Sequence, residues 1–300
     1  MADNPTGTAK ADGAPKPNRD LIKRGVYASN PLGTTTFVGL RALDPILQYQ
    51  LLARGWGESF LSRIGISSIP LHGHGISDYL SYSSLPKDSA GYLTALDAVS
   101  LRDLPVSRLI LLGMATGSTL KQIFWLLYLS REELTPASAV AVSGYNTVVN
   151  SLASLLLLSS TASSALASPK VSIPGGSGLA LSLPTAVGVV LYTVGMALET
   201  VSEMQRKRFK DKSENKGKIC ATGLWASARH INYGGYTLWR TGYGLAAGGW
   251  VAGAAVAAWH WWTFVKSSVP ILNDYMVKKY PAQWKKYQRD VKWMLIPGVF

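Results

Sequence analysis

The sequence predicts an all-α fold: a polytopic bundle of about five to seven transmembrane helices with an amphipathic, cytoplasmic helix at the C-terminus. Three observations carry that expectation. Charged residues make up only 16% of the 300, against about 25% in soluble domains. The deficit is gathered into uncharged runs of about 20 residues, the length that crosses the hydrocarbon core of a bilayer. The net charge of +13 sits in short segments beside those runs, as the positive-inside rule and anionic lipid surfaces favour. A soluble chain this basic would suggest nucleic acid as a partner. Here the aromatic RNA-binding and zinc-finger signatures are absent, so none is expected.

Residues 1–30 are polar, with Pro, Gly and Lys and no apolar core. They read as a disordered tail, not a secretory leader. Residues 31–178 form an N-terminal set of membrane helices and loops. Within it Thr34 to Gly55 is apolar but interrupted by Arg41, Asp44, Gln48 and Arg54. It is either a membrane helix with its polar face toward protein or an interfacial amphipathic helix, and Asp44-Pro45 has the form of a helix start. Residues 66–105 read as loop. Leu109 to Leu129 is a helix with Lys121 as its one formal charge, and Ala137 to Ser160 is an uncharged spanning segment.

Residues 179–300 form the C-terminal membrane domain. Leu179 to Leu198 spans, and Glu199 and Glu203 mark its exit. The densest basic run, Arg206 to Lys218, follows and is expected in the cytoplasm. Gly235 to Val265 is apolar and interrupted at Gly248-Gly249. Because basic segments flank it on both sides, it is expected to return to the same side as a two-helix hairpin turning at those glycines, with Gly244/Gly248 and Gly249/Gly253 spaced for close packing. Tyr280, Trp284, Tyr287 and Val291 then recur at helical spacing, with Pro281 in the first turn.

Three clusters hold the candidate chemistry. Glu203, Arg206 and Lys210 follow the third span; the acid can pair with its neighbours, and the cations can hold nucleotide phosphates. A charged helix cap is the plainer reading. The segment Trp225-Ala226-Ser227-Ala228-Arg229-His230-Ile231-Asn232-Tyr233 gathers an Arg for a phosphate or carboxylate, an Asn for an amide or base edge and a Tyr able to donate a proton. On one helix Trp225, Arg229 and Tyr233 would share a face, and an interfacial aromatic anchor is the plainer reading. Asn273, Asp274 and Tyr287 belong to the third cluster, where an acid can pair with Arg229 or meet a ribose hydroxyl; a solvated amphipathic helix is the alternative. Two histidines, His72 and His74, are too few for a metal site. His260, among Trp259, Trp261 and Trp262, reads as an interfacial belt. Cys220 is the single cysteine, so no intrachain disulfide and no cysteine-based metal site can form. No nucleophile elbow, phosphate loop or dinucleotide fingerprint is present.

In order, the chain carries Glu203-x-Gln205-x-x-x-Phe209, Gly223-Leu224-Trp225, Ser227-x-Arg229-His230-Ile231-Asn232-Tyr233, a hairpin, Lys279-Tyr280-x-x-x-Trp284-x-x-Tyr287 and Leu295-Ile296-Pro297. This set resembles the C-terminal domain of the steroid 5-alpha-reductase and sterol C-14 reductase superfamily, which also contains isoprenylcysteine carboxyl methyltransferases and phospholipid methyltransferases. In the reductase branch the resemblance implies an endoplasmic-reticulum membrane enzyme that uses NADPH to reduce a carbon–carbon double bond of a sterol or other isoprenoid lipid. Arg206 and Lys210 would face phosphates, Trp225, Asn232 and Tyr233 the nicotinamide half, and Tyr287 would close the pocket. Tyr233 would be catalytic, with Glu203, Arg229, His230, Asn273 and Asp274 completing the cofactor set. In the methyltransferase branch the cofactor would be S-adenosylmethionine. A third reading is a non-catalytic lipid-binding protein on the same scaffold. Two positions depart from the pattern: Ile231 stands where the family has proline, and Leu272-Asn273 where it has an acidic pair. Either Asp274, one residue later, takes the acidic role, or nucleotide binding is altered.

Overall fold

The computed structural model describes residues 27–70, 101, 104–172 and 180–299. His72 and His74 lie outside them. The fold is an all-α bundle. The helices are α1 (Pro31–Ala53), α2 (Trp56–Arg63), α3 (Val106–Phe124), α4 (Pro136–Leu158), α5 (Leu183–Asp211), α6 (Ile231–Thr263), α7 (Val269–Lys279) and α8 (Pro281–Asp290). A wide π turn, Trp125–Leu129, extends α3. A two-stranded ribbon pairs Lys170–Ser172 with Ala180–Ser182 ahead of α5. Asn30, Thr135 and Ser182 cap α1, α4 and α5 through side-chain oxygens that accept from backbone N–H groups, each followed by a proline in the first turn.

Among the described residues three segments are long and apolar enough to cross a membrane: Val106–Leu129, Pro136–Leu158 and Leu183–Asp211. The run expected as a hairpin is one. Gly249 takes a φ of +69° and Gly248 leaves helical geometry, a turn that residues with a Cβ resist. The two limbs of α6 return antiparallel, with Leu245 against Gly253, Gly244 against Val256 and Tyr236 5.3 Å from His260. His260 therefore lies inside the hairpin, Nδ1 against the Val256 carbonyl at 2.8 Å and Nε2 3.2 Å from the Tyr145 hydroxyl. The aromatic belt comes from its neighbours, the exposed Trp259 and Trp262.

The tightest seam joins α5 to the first limb of α6. A Cβ added at Gly188 would stand 2.6 Å from the Gly242 carbonyl, and one added at Gly195 2.6 Å from that of Gly235. Small residues thus let the backbones meet. The helix does not end near Leu198 but runs on to Asp211. Glu199 is no exit marker: it is buried in the seam, paired with Lys121 of α3 and accepting from Trp239 Nε1 at 2.7 Å.

Nor does α1 start at Asp44, because Pro45 lies within the helix. Arg41, Asp44 and Gln48 fall at i, i+3 and i+7 and are fully buried, so α1 turns its polar face toward protein. Arg41 Nη2 donates to Asp44 Oδ2 at 3.2 Å and to Thr119 Oγ1 at 2.9 Å. Asp44 also accepts from Gln48 at 3.1 Å and from Asn150 at 2.7 Å. Asn150 in turn accepts from Arg240 Nη1 at 3.1 Å, and the other Arg240 nitrogen reaches Asn146. One carboxylate so links α1, α3, α4 and α6.

Removing that carboxylate strands the buried Arg41 guanidinium and takes the acceptor from the Asn150 amide that also holds Arg240. Asp44→Leu is expected to cost about 3–5 kcal/mol of stability, read as an earlier thermal transition in detergent. Adding Arg41→Met should recover part of the loss. A cost below about 1 kcal/mol would contradict the network's burial.

Candidate functional site

A cavity of about 640 Å³ opens where the basic end of α5 meets the C-terminal arm. That is a common size for small-molecule sites, about 300–1,000 Å³. The last turns of α5 supply Glu203, Arg206, Lys207 and Lys210 at i, i+3, i+4 and i+7, one helical stripe. Opposite them α7 presents Leu272, Tyr275, Met276 and Lys279 with the same spacing, and α8 adds Trp284 and Tyr287. The end of α3 contributes Trp125 and Leu129, followed by Arg131. Trp225, Arg229 and His230 form the inner wall.

Trp225, Arg229 and Tyr233 do not share one helix. A 3-10 turn, Gly223–Ala226, carries Trp225, and α6 begins only at Ile231 after a non-helical His230 (φ −131°, ψ 48°). That break separates the tasks of the segment. Trp225 is buried and donates Nε1 to the Ser202 carbonyl at 2.7 Å. Arg229 Nη1 donates to the carbonyls of Val291 at 2.6 Å and Lys292 at 3.0 Å, just past the last turn of α8. The backbone N–H groups of Arg229 and His230 reach Trp293 and Met294 at 3.0 and 2.8 Å. Arg229 therefore clamps the C-terminal arm, and burial lowers its pKa from the usual guanidinium value. Ile231 packs with Cys220, Trp225 and Ala228 beneath the cavity.

Seven of the expected site residues line the cavity: Glu203, Arg206, Lys210, Trp225, Arg229, His230 and Tyr287. The other four lie off it. Asn232 stands behind Glu203, donating to Oε1 at 2.7 Å. Tyr233 is stacked between His230 and Phe264, with ring centroids 5.7 and 4.5 Å away. Asn273 joins the two arm helices, accepting from Trp284 at 2.9 Å and Gln288 at 3.1 Å. Asp274 is exposed. On α7 the cavity face runs through 272, 275, 276 and 279, so residues 273 and 274 point elsewhere. The walls that the sequence did not announce are Trp125, Leu129, Arg131, Leu272, Tyr275 and Met276. The α7 members carried a usable 3–4 periodicity, whereas the α3 members meet the site only through tertiary packing.

The wall is basic at the mouth and aromatic within. Among the described residues seven cationic side chains and three acidic ones line it. Arg206 pairs with Glu203 and lies 5.3 Å over the Trp225 ring. Asp211 holds Arg131 and, at 2.7 Å, Lys207. Glu203 is the buried carboxylate, its side chain 6% exposed. Burial raises the Cys220 thiol above its ordinary value.

Tyr287 locks the arm to the inner wall by donating its hydroxyl to the Trp225 carbonyl at 2.5 Å. Burial, with Cys220 adding to it, raises its phenol pKa well above the ordinary value. A group raised in the fold stabilises fully below its unfolded pKa, about 10, and that contribution is lost as pH climbs toward the folded value. Tyr287→Phe should therefore cost about 0.5–1.5 kcal/mol at pH 7. The gap between variant and parent transitions should narrow above about pH 10. A gap independent of pH in thermal melts from pH 7 to 11 would contradict the phenol's role.

Two comparisons place the chain. The family described as "Protein of unknown function (DUF1295)" matches residues 140–291, a range that holds Glu203 to Tyr287 and the whole hairpin. The "Probable O-methyltransferase ustE" of Ustilaginoidea virens is 35% identical over 262 residues, 87% of this chain and 84% of that protein. With just over half of its length under the family profile, this chain belongs to the DUF1295 family.

Proposed function

We propose that this protein is a membrane-embedded enzyme that transfers a methyl group from S-adenosylmethionine to an oxygen of an apolar or amphiphilic molecule. The observation that carries the reading is the similarity to a probable O-methyltransferase along 87% of the chain, together with a cavity that has both a buried carboxylate and aromatic faces. S-adenosylmethionine is a sulfonium and an ammonium with one carboxylate. Cationic centres need an acid or an aromatic face in a desolvated site. Glu203 and the rings of Trp225, Trp284 and Tyr287 supply these, and Arg206 and Lys210 suit the carboxylate. Bound there, the cofactor supplies an activated methyl group.

The chain's own residues then have assignable tasks. Asn232 keeps Glu203 aimed from behind. Tyr233 and Trp284 bracket the His230 ring, with centroids 5.7 and 6.1 Å away. His230 is placed to accept, on a ring nitrogen, the proton that a hydroxyl acceptor gives up. Tyr233, expected as the catalytic group, becomes in this reading a positioning residue for His230.

A second reading keeps a specific observation in its favour. The seven cations against three acids suit the phosphates of NADPH, with reduction of a lipid double bond as the activity. Isothermal titration of purified protein in detergent separates the two. S-adenosylmethionine and S-adenosylhomocysteine are expected to bind, and Glu203→Gln to weaken S-adenosylmethionine about tenfold, as loss of a charged hydrogen bond would. NADPH binding with no response to either adenosyl compound would replace the methyl-transfer reading with reduction.

A further inference from the structure

A second hollow lies away from the cavity, between α1 and α4. It has a volume of about 170 Å³ and is lined by Leu40, Leu43 and Leu47 and, at its floor, by Asp44, Ser143 and Thr147. It shares no residue with the larger cavity. Residues 143–147 follow the start of α4 by about 10–17 Å of helix rise, so the floor sits at depth within a spanning segment.

The floor is chemically incomplete. Ser143 is 1% exposed, and among the described residues its hydroxyl has no hydrogen-bond partner. A buried hydroxyl left so costs about 1–3 kcal/mol. Asp44 accepts three hydrogen bonds where a carboxylate can take about four. Thr147 accepts from Arg41 at 3.5 Å and keeps its own hydrogen to donate. What is missing is one atom that both donates and accepts. Water alone does not match the space, since one molecule fills about 30 Å³ and three leucines form the rest of the wall.

Charge narrows the class. The network holds two guanidinium groups, Arg41 and Arg240, against one carboxylate, Asp44, which disfavours a cation. Among the described residues no cationic side chain lines the hollow, and an anion would face Asp44. A neutral hydroxyl on an apolar chain satisfies every term. We propose that the α1–α4 hollow binds a long-chain aliphatic alcohol from the bilayer, its hydroxyl donating to Asp44 and accepting from Ser143, its first carbons against the leucines.

Two variants test this without disturbing the packing. Ser143→Ala removes a hydroxyl that bonds to nothing described. Gly144 lines the same hollow, and a Cβ added there would meet nothing within 4 Å, so Gly144→Phe can fill the space. The probe is hexadecanol carrying a diazirine near its hydroxyl end, photolysed with the full-length protein in phosphatidylcholine vesicles. Label is expected within residues 40–47 and 143–147. It should fall at least fivefold in both variants while their thermal transitions stay with the parent. Unlabelled hexadecanol should compete and its methyl ether, which cannot donate, should not. Equal labelling of Gly144→Phe, equal competition by the ether, or label only elsewhere would overturn the proposal.

Discussion

The close approach of α5 to the first limb of α6 is the constraint from which the candidate site follows. Gly188 and Gly195 meet Gly242 and Gly235 so tightly that no larger side chain fits between them. Helices in a bilayer gain little from burying apolar surface against each other, so backbone proximity and polar contacts must hold them. Glu199 exploits the seam, taking Lys121 from α3 and Trp239 from α6. One turn further on, Glu203 emerges at the cavity, already held by Asn232 of α6. The seam thus sets the distance between the basic stripe of α5 and the start of α6 before any ligand is considered.

The second wall is added by a different device. The apolar contact that holds the short, strongly charged α8 is small, with Trp284, Tyr287 and Val291 packed against Ile219 and Met276, and polar bonds add to it. The Arg229 guanidinium and two backbone N–H groups at the start of α6 bind carbonyls at and after the end of α8, and Tyr287 and Trp284 bury their rings beneath them. A cation on the last carbonyls of a helix also meets the negative end of its dipole. The C-terminal arm is therefore a lid fixed by its far end, while α7 between lid and hairpin presents only its 272–279 stripe to the cavity.

Much of this was legible in the sequence, and what was not has definite causes. The hairpin follows from Gly248-Gly249 between two basic flanks, and the buried rings of α8 from their spacing. The polar face of α1 admitted two readings because a stripe of Arg41, Asp44 and Gln48 looks the same whether it meets headgroups or protein; only its partners on α4 and α6 decide. Glu199 and Glu203 mislead for a related reason. Acidic residues at the end of an apolar run suggest exit into water, yet here they are buried because Lys121, Trp239, Arg206 and Asn232 compensate them from other elements or the next turn. The break at His230 leaves no local signature beyond the absent cap, so the spacing of Trp225, Arg229 and Tyr233 suggests one helix where the chain has a 3-10 turn and the start of α6. The α3 wall has no sequence signal, since its residues reach the cavity only through the bundle.

The departures at 231 and 272–273 bear on which ligand the cavity suits. Ile231 has become part of the apolar floor under Trp225, so the position now serves packing. Leu272 faces the cavity, Asn273 is engaged within the arm and Asp274 faces away. Neither alternative for the missing acidic pair then places a carboxylate in that wall. Glu203, on the opposite wall, is left as the buried acid, and Asp211 and Glu132 lie nearer the mouth among the cations. A ligand with one positive group near an aromatic surface and one negative group toward the lysines matches that division. A ligand with negative charge along most of its length would use the mouth but would meet Glu203 unfavourably inside. The charge count at the rim favours phosphates, and the arrangement in depth favours a zwitterion. Because a desolvated charge interacts far more strongly than a solvated one, the zwitterion is favoured where its cation replaces Arg206 on Glu203 and its carboxylate takes the guanidinium so released.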